Sequence, residues 1–254
     1  MYKKLWIAIL IALPLLSYGQ VIDSLSYKNI EFRFSIAAGK ETSQPVEISI
    51  KTISFPDTMT GRLINQLINS KIYSYNEDSV GSNVYSFTGA FLENYGDFRK
   101  DFPDNPMSWS IDRKASIICN NNKVLSIEFF EYVFEGGAHP STTYTLMMLN
   151  PSDAKKISVE EILIPGSYDP LHKLCEKHLR ISRNISTEQN LEDEGFWLEK
   201  GKLPLPENIA LTSHGLRLLY NSYEIAPYAM GQSDFTIPYD ELTKILKPEY
   251  LPSK

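Results

Sequence analysis

An α+β fold built on an antiparallel sheet, with helices packed on one face, follows from three observations. Apolar and polar residues alternate in short runs such as KNIEFRFSI, the period of a half-buried strand. Apolar residues at helical spacing come in a block between strand runs, not in strand–helix–strand alternation. Turn residues such as Asn-Asn-Asn and Gly-Gly separate the strand runs at hairpin distances.

The elements follow in order. In KNIEFRFSI, Ile30, Phe32, Phe34 and Ile36 face one way and Asn29, Glu31, Arg33 and Ser35 the other. Gly39 to Pro45 reads as a loop, and VEISI repeats the alternation, so the two runs form an antiparallel pair. Pro56-Asp57 stops the strand and caps a helix whose stripe is Leu63, Ile64, Leu67, Ile68 and Ile72. A second helix covers about Val84 to Phe102, with Phe87, Phe91, Tyr95 and Phe98 on one face. SWSIDRKASIIC and KVLSIEFFEYVF are strands joined through Asn120-Asn121-Asn122, a turn that can visit φ > 0. STTYTLMML continues as a strand after a Gly-Gly-Ala-His-Pro turn.

The second half opens near Pro151. Ser158 to Glu161 is a capping-box pattern that starts a short helix ending before Pro165. Asp169-Pro170 starts the next helix, with Asp169 as cap and Leu171, Leu174, Cys175, His178 and Leu179 on one face. A polar stretch, Ser186 to Glu194, leads to strands in NIALTS, LRLLYNSYEI and DFTIP and a short helix in YDELTKIL.

Bulk properties narrow the function. The chain has 254 residues, a net charge of −6 and a sequence pI near 5.3, with no Lys/Arg run. Nucleic acid is therefore not an expected partner. The N-terminus, MYKKLWIAILIALPLLSYGQ, has two lysines, a short apolar run and small residues at Ser17 and Gly19. That is the layout of a secretory signal peptide over residues 1–19. Export to the periplasm or the extracellular space is expected, with no membrane span after cleavage. The remainder divides into an α+β region over 20–150 and another over 151–254. Of the two cysteines, Cys119 and Cys175, an oxidising compartment permits a bridge, but two buried free thiols are the expectation.

Two motifs stand out. In FEGGAHPSTTY, Gly136 and Gly137 suit a turn or bulge between long strands, or a bare backbone edge open to an extended ligand. Ala138 and His139 complete that edge. His139 is expected to be buried or half-buried and bonded to a backbone carbonyl. As a general base it would need Glu135 or Glu224 within reach. In YEIAPYAMG, Pro227 fixes φ and Gly231 allows a turn, while Tyr223 and Tyr228 offer rings with polar tips. That stretch is either a crossover pinned by aromatics or an aromatic wall for sugar or peptide, with Glu224 beside it. If EFFEYVF and LRLLYNSYEI pair, both motifs meet at one sheet end. No nucleophile elbow, phosphate loop or histidine pair with metal-ligand spacing occurs, so no catalytic residue, metal or cofactor is expected.

Three stretches together resemble the RsiV/PdaC-like family: EFFEYVFEGGAHPSTTYTLMMLNP, ISVEEIL and HGLRLLYNSYEIAPYAMGQSDFTIPYDELTKIL. The family includes the extracellular part of lysozyme-sensing anti-sigma factors and a domain attached to some peptidoglycan deacetylases. The resemblance implies a PdaC-type region followed by an RsiV-like region, two subdomains forming one compact unit. It implies an envelope-facing binding role in a bacterial protein. This sequence carries no cytoplasmic domain or span like those of an anti-sigma factor and no deacetylase domain with its histidine pair, so neither activity follows. The expected function is a non-catalytic module that recognises a cell-wall glycan or peptide fragment, or a protein such as a lysozyme-type hydrolase. The alternatives are an envelope hydrolase using His139 with Glu224 or Glu135, and a purely structural envelope protein.

Overall fold

The computed structural model describes residues 24–37, 44–75 and 83–252. The expected signal peptide and the Gly39–Pro45 loop up to residue 43 lie outside the described residues. Among those described, the elements are β1 (Lys28–Ile36), β2 (Val46–Ser54), α1 (Met59–Ile72), α2 (Val84–Asp101), β3 (Ser110–Asn120), β4 (Leu125–Phe134), β5 (Ser141–Leu149), α3 (Val159–Ile162), α4 (Tyr168–Arg183), β6 (Asn208–Leu211), β7 (Gly215–Tyr220) and β8 (Ser233–Pro238). Short 3-10 turns follow at Tyr228–Met230, Tyr239–Leu242 and Pro248–Tyr250. The α+β class is the one the residue pattern implies.

The strands form two sheets, one ordered β1-β2-β3-β4-β5 and one ordered β6-β7-β8. The five-stranded sheet contains one parallel pair beside its antiparallel edge. β1 and β2 pair antiparallel, with Phe32 opposite Ile50, but β2 and β3 pair parallel, with Ile50 opposite Arg113. The helical block between them is the reason: α1 and α2 supply the long connection that a parallel pair needs.

By its contacts the chain divides into two compact units. Among described residues, the first holds 26–116 and 129–142, and the second holds 24–25, 117–128 and 143–252. In the first, β2 alternates and buries Val46, Ile48 and Ile50, and α1 turns Ile64, Ile68 and Ile72 inward at helical spacing. Leu63, expected on that stripe, is exposed. The α1 cap is Thr58, whose hydroxyl accepts from the Gly61 N–H, and not the Pro56-Asp57 pair. α2 starts at Asn83 with a capping box and buries Phe87, Phe91 and Tyr95. These rings continue through Trp109 to Phe98 and Phe102 in tilted and edge contacts.

The second unit buries one apolar cluster. Leu171, Cys175 and Leu179 of α4 pack among Leu216, Leu218 and Tyr220 of β7 and Ile237 of β8. α4 begins two residues earlier than expected, after Ser167, so Asp169 sits in its first turn, where the helix dipole favours it. α3 has its expected capping box, with Glu161 accepting from the Ser158 N–H at 2.7 Å. The Asn120–Asn122 turn needs no positive φ. The Asn121 side chain accepts from the Lys123 and Val124 N–H groups at 2.8 and 2.9 Å and fixes the bend itself. Cys119 and Cys175 are both free and buried. Burial pushes the Cys175 thiol up to about 12, against a 3.1 Å contact with the Tyr220 hydroxyl.

Candidate functional site

The Gly-Gly-Ala-His turn belongs to the first unit. β4 ends at Phe134 because Gly136 adopts φ 79°, which breaks the extended ladder before β5 restarts at Ser141. A Cβ at Gly136 would lie 3.3 Å from Phe98 Cζ and 3.5 Å from the Trp109 indole nitrogen. The turn therefore presses on the aromatic row of α2. Gly137 differs: it has no positive φ, and a Cβ there would meet nothing nearer than the His139 carbonyl at 3.9 Å. Ala138 and His139 are exposed. His139 does bond a carbonyl, donating from Nδ1 to Pro140 O at 2.9 Å, but at the surface. The buried or half-buried histidine of the sequence reading is corrected by this exposure.

Beside the turn, the Tyr75 hydroxyl donates to Glu135 at 2.5 Å. Burial, then that bond and the Glu135 charge, raise the Tyr75 pKa well above its usual value. Glu135 thus serves a tyrosine.

The YEIAPYAMG stretch belongs to the second unit. β7 stops at Tyr220, five residues short of the expected end. The reason is Asn221, which imitates a strand partner. Its Oδ1 accepts from the Tyr144 N–H at 2.8 Å and its Nδ2 donates to the Tyr144 carbonyl at 2.9 Å. The same amide donates to Glu224 at 3.1 Å. Tyr223 then turns the chain at φ 70°, rare for a bulky residue, and its N–H closes on the Ala226 carbonyl at 3.2 Å. Pro227, at φ −60°, opens the Tyr228–Met230 turn, and Gly231 closes it at φ 67°. The far end is held by Arg183, which donates to the carbonyls of Met230 and Gln232 at 2.8 and 2.6 Å and to Ser233 Oγ at 2.8 Å.

This bracing presents two rings. Tyr223 is 56 % exposed, and its ring centre lies 5.7 Å from that of Tyr228, tilted by 32°. Glu224 is exposed at the same bend. The residues missed from sequence are Asn221 and Trp197. Trp197 donates its backbone N–H to the Ile225 carbonyl at 2.7 Å and is 47 % exposed. Nothing local in GFWLEK marks that long-range contact; only the folded backbone makes it.

The idea that the two motifs share a sheet end rested on β4 pairing with β7. β4 lies between β3 and β5, and β7 between β6 and β8, so that pairing does not occur. Gly136, Gly137, Ala138 and His139 lie in the first unit, while Tyr223, Glu224, Pro227 and Tyr228 lie in the second. Among the described residues, no group of three His, Cys, Asp or Glu side chains is placed to hold a metal ion.

Two family models match in tandem. One, Deacetylase PdaC, matches residues 40–142; the other, a protein of unknown function (DUF3298), matches residues 160–240. The chain is similar to one family over each of these two stretches. A curated relative is the peptidoglycan-N-acetylmuramic acid deacetylase PdaC of Bacillus subtilis, 27 % identical over 132 residues. The match takes in 51 % of the chain but only 27 % of that relative's length. A crystal structure of a DUF3298 family protein from Pseudomonas aeruginosa superposes with a TM-score of 0.70 at 20 % identity, covering 91 % of this chain and 99 % of that one. One from Bacteroides fragilis does so with 0.70 at 19 %, covering 90 % and 96 %. The chain therefore has the fold of those proteins.

Proposed function

We propose that the protein is an exported, non-catalytic binding module of the cell envelope that recognises a peptidoglycan fragment. The observation that carries this reading is the Tyr223–Tyr228 ring pair, with Tyr223 exposed and Tyr228 half-buried, on a loop braced from both sides by Asn221 and Arg183. A preorganised aromatic surface binds without losing loop entropy on contact, which is how binding sites differ from pliant loops. The tandem match to the PdaC model and the peptidoglycan-directed relative support a wall component as the ligand class.

Co-sedimentation of the purified mature chain with peptidoglycan sacculi tests this reading, with a lysozyme-type hydrolase as the competing bait. The chain should pellet with sacculi, and Tyr223→Ala should weaken the interaction about tenfold, the upper range for one aromatic contact. Retention on the hydrolase but not on sacculi would assign a protein ligand and end the wall-fragment reading. Export is tested separately. Protein from the periplasm or medium should begin near Gln20, and a soluble cytoplasmic form retaining Met1 would remove the envelope from the proposal.

A further inference from the structure

The five-stranded sheet ends on β1 at one side and on β5 at the other. The chain itself closes the β5 edge. Asn221 takes both the N–H and the carbonyl of Tyr144, Asn208 Oδ1 accepts from the Leu146 N–H at 2.9 Å, and the Ile157 N–H donates to the Met148 carbonyl at 2.9 Å. β1 has no such cover. Among the described residues it pairs with β2 alone, in an unbroken register from Lys28 to Ile36. Every second residue of such a strand turns its N–H and C=O outward. Proteins blunt open edges with a proline, a bulge or a short strand. β1 has nine residues, no proline and no bulge.

Its side chains also remain partly uncovered. On one face Ile30 is 37 % exposed, and Phe32, Phe34 and Ile36 are half-buried. On the other, Arg33 Nε donates to Glu31 at 2.5 Å and the Lys51 ammonium lies 3.9 Å from the same carboxylate. Both contacts use Glu31 Oε1, and Oε2 meets no partner among the described residues.

The strand is complementary to itself. A second copy laid antiparallel, about a two-fold axis through Phe32, sets Glu31 opposite Arg33, Ile30 opposite Phe34 and Asn29 opposite Ser35, each pair twice. Phe32 meets Phe32, and only the end pair, Lys28 with Ile36, is unlike. Neighbouring registers lose the match. An axis at Glu31 sets that carboxylate against itself, and one at Arg33 does the same with two cations. An axis between two residues sets the apolar row against the charged one.

We infer that β1 is a homodimer interface, where a second copy of this chain adds its own β1 and joins two five-stranded sheets into one. The occupant is a second copy because the strand's own sequence, reversed, supplies the complementary charges. The inference rests on β1 and stands apart from the wall-fragment reading. One strand pair is a small interface, so the dissociation constant is expected at about 10–100 μM.

Sedimentation velocity of the mature chain across that range reads the association directly. The average mass should rise toward twice that of one chain, and rise less at high salt. Glu31→Arg and Arg33→Glu each turn two attractive pairs into repulsive ones and should raise the dissociation constant about tenfold. The double swap E31R/R33E restores reciprocal pairing and should return the constant to within about threefold of the parent. Both side chains reach solvent, so far-UV circular dichroism of all three variants should match the parent. A chain that stays monomeric across the range overturns the inference, including one that captures a foreign extended peptide on β1 instead. A dimer that the single swaps leave intact, or that the double swap fails to restore, uses another surface and overturns it as well. Sacculus binding is read in a separate experiment, so the two proposals fail separately.

Discussion

Replacing Arg113 by methionine is expected to cost about 3 kcal/mol of stability. Arg113 stands on β3 with 7 % of its surface exposed. Its guanidinium donates to the Ile72 carbonyl at 2.8 Å and to the Ser74 carbonyl, pairs with Glu131, and lies 4.5 Å from the Phe87 ring centre. Ile72 is the last residue of α1, so this one cation satisfies carbonyl groups that the helix end leaves without intrahelical partners. Burial works against its charge and the Glu131 carboxylate offsets part of that cost. Methionine keeps most of the stem but leaves the carbonyls and Glu131 without a cation. Glu131 retains 36 % side-chain exposure and can be hydrated, which holds the loss near the low end for a broken buried pair. Urea unfolding measures it. Glu131→Gln should cost less, about 1 kcal/mol, because the carbonyl bonds survive. A change below about 1 kcal/mol in Arg113→Met would show that the guanidinium does not tie α1 to β3.

Gly136→Val should be the second most damaging change, at about 2–3 kcal/mol, whereas Gly137→Val should be mild. The left-handed conformation alone costs a non-glycine residue about 1–2 kcal/mol, and more with branching at Cβ. Contact of the new Cβ with Phe98 at 3.3 Å adds crowding against the aromatic row. Of the two glycines expected to form the turn, it is Gly136 that has φ 79°. A buried histidine bonded to a carbonyl would lose about 1–2 kcal/mol on truncation. With His139 exposed, His139→Ala should stay within about 0.5 kcal/mol. Thermal melts of the three variants give the ranking. Equal losses at 136 and 137 would mean that the turn is held by its length and not by the left-handed residue.

The amino-acid pattern by itself determined the local elements wherever period and cap chemistry agreed. The alternation in β1 and β2, the Ile64–Ile68–Ile72 stripe, the Phe87–Phe91–Tyr95 face and the Ser158–Glu161 box each depend on residues a few positions apart. It also singled out Gly136, Gly137, Pro227 and Gly231 as places where regular backbone stops, because glycine frees φ and proline fixes it locally. Long-range choices were decided by tertiary structure. The parallel pairing of β2 with β3 depends on a helical connection whose direction of return leaves no mark on either strand. β7 ends at Tyr220 because Asn221 finds the backbone of Tyr144, 77 positions away. Trp197 joins the tyrosine loop through a single backbone bond to Ile225. Hydrogen bonds of that kind are set by which surfaces the apolar core brings together, and a residue's type and neighbours in sequence carry no record of them.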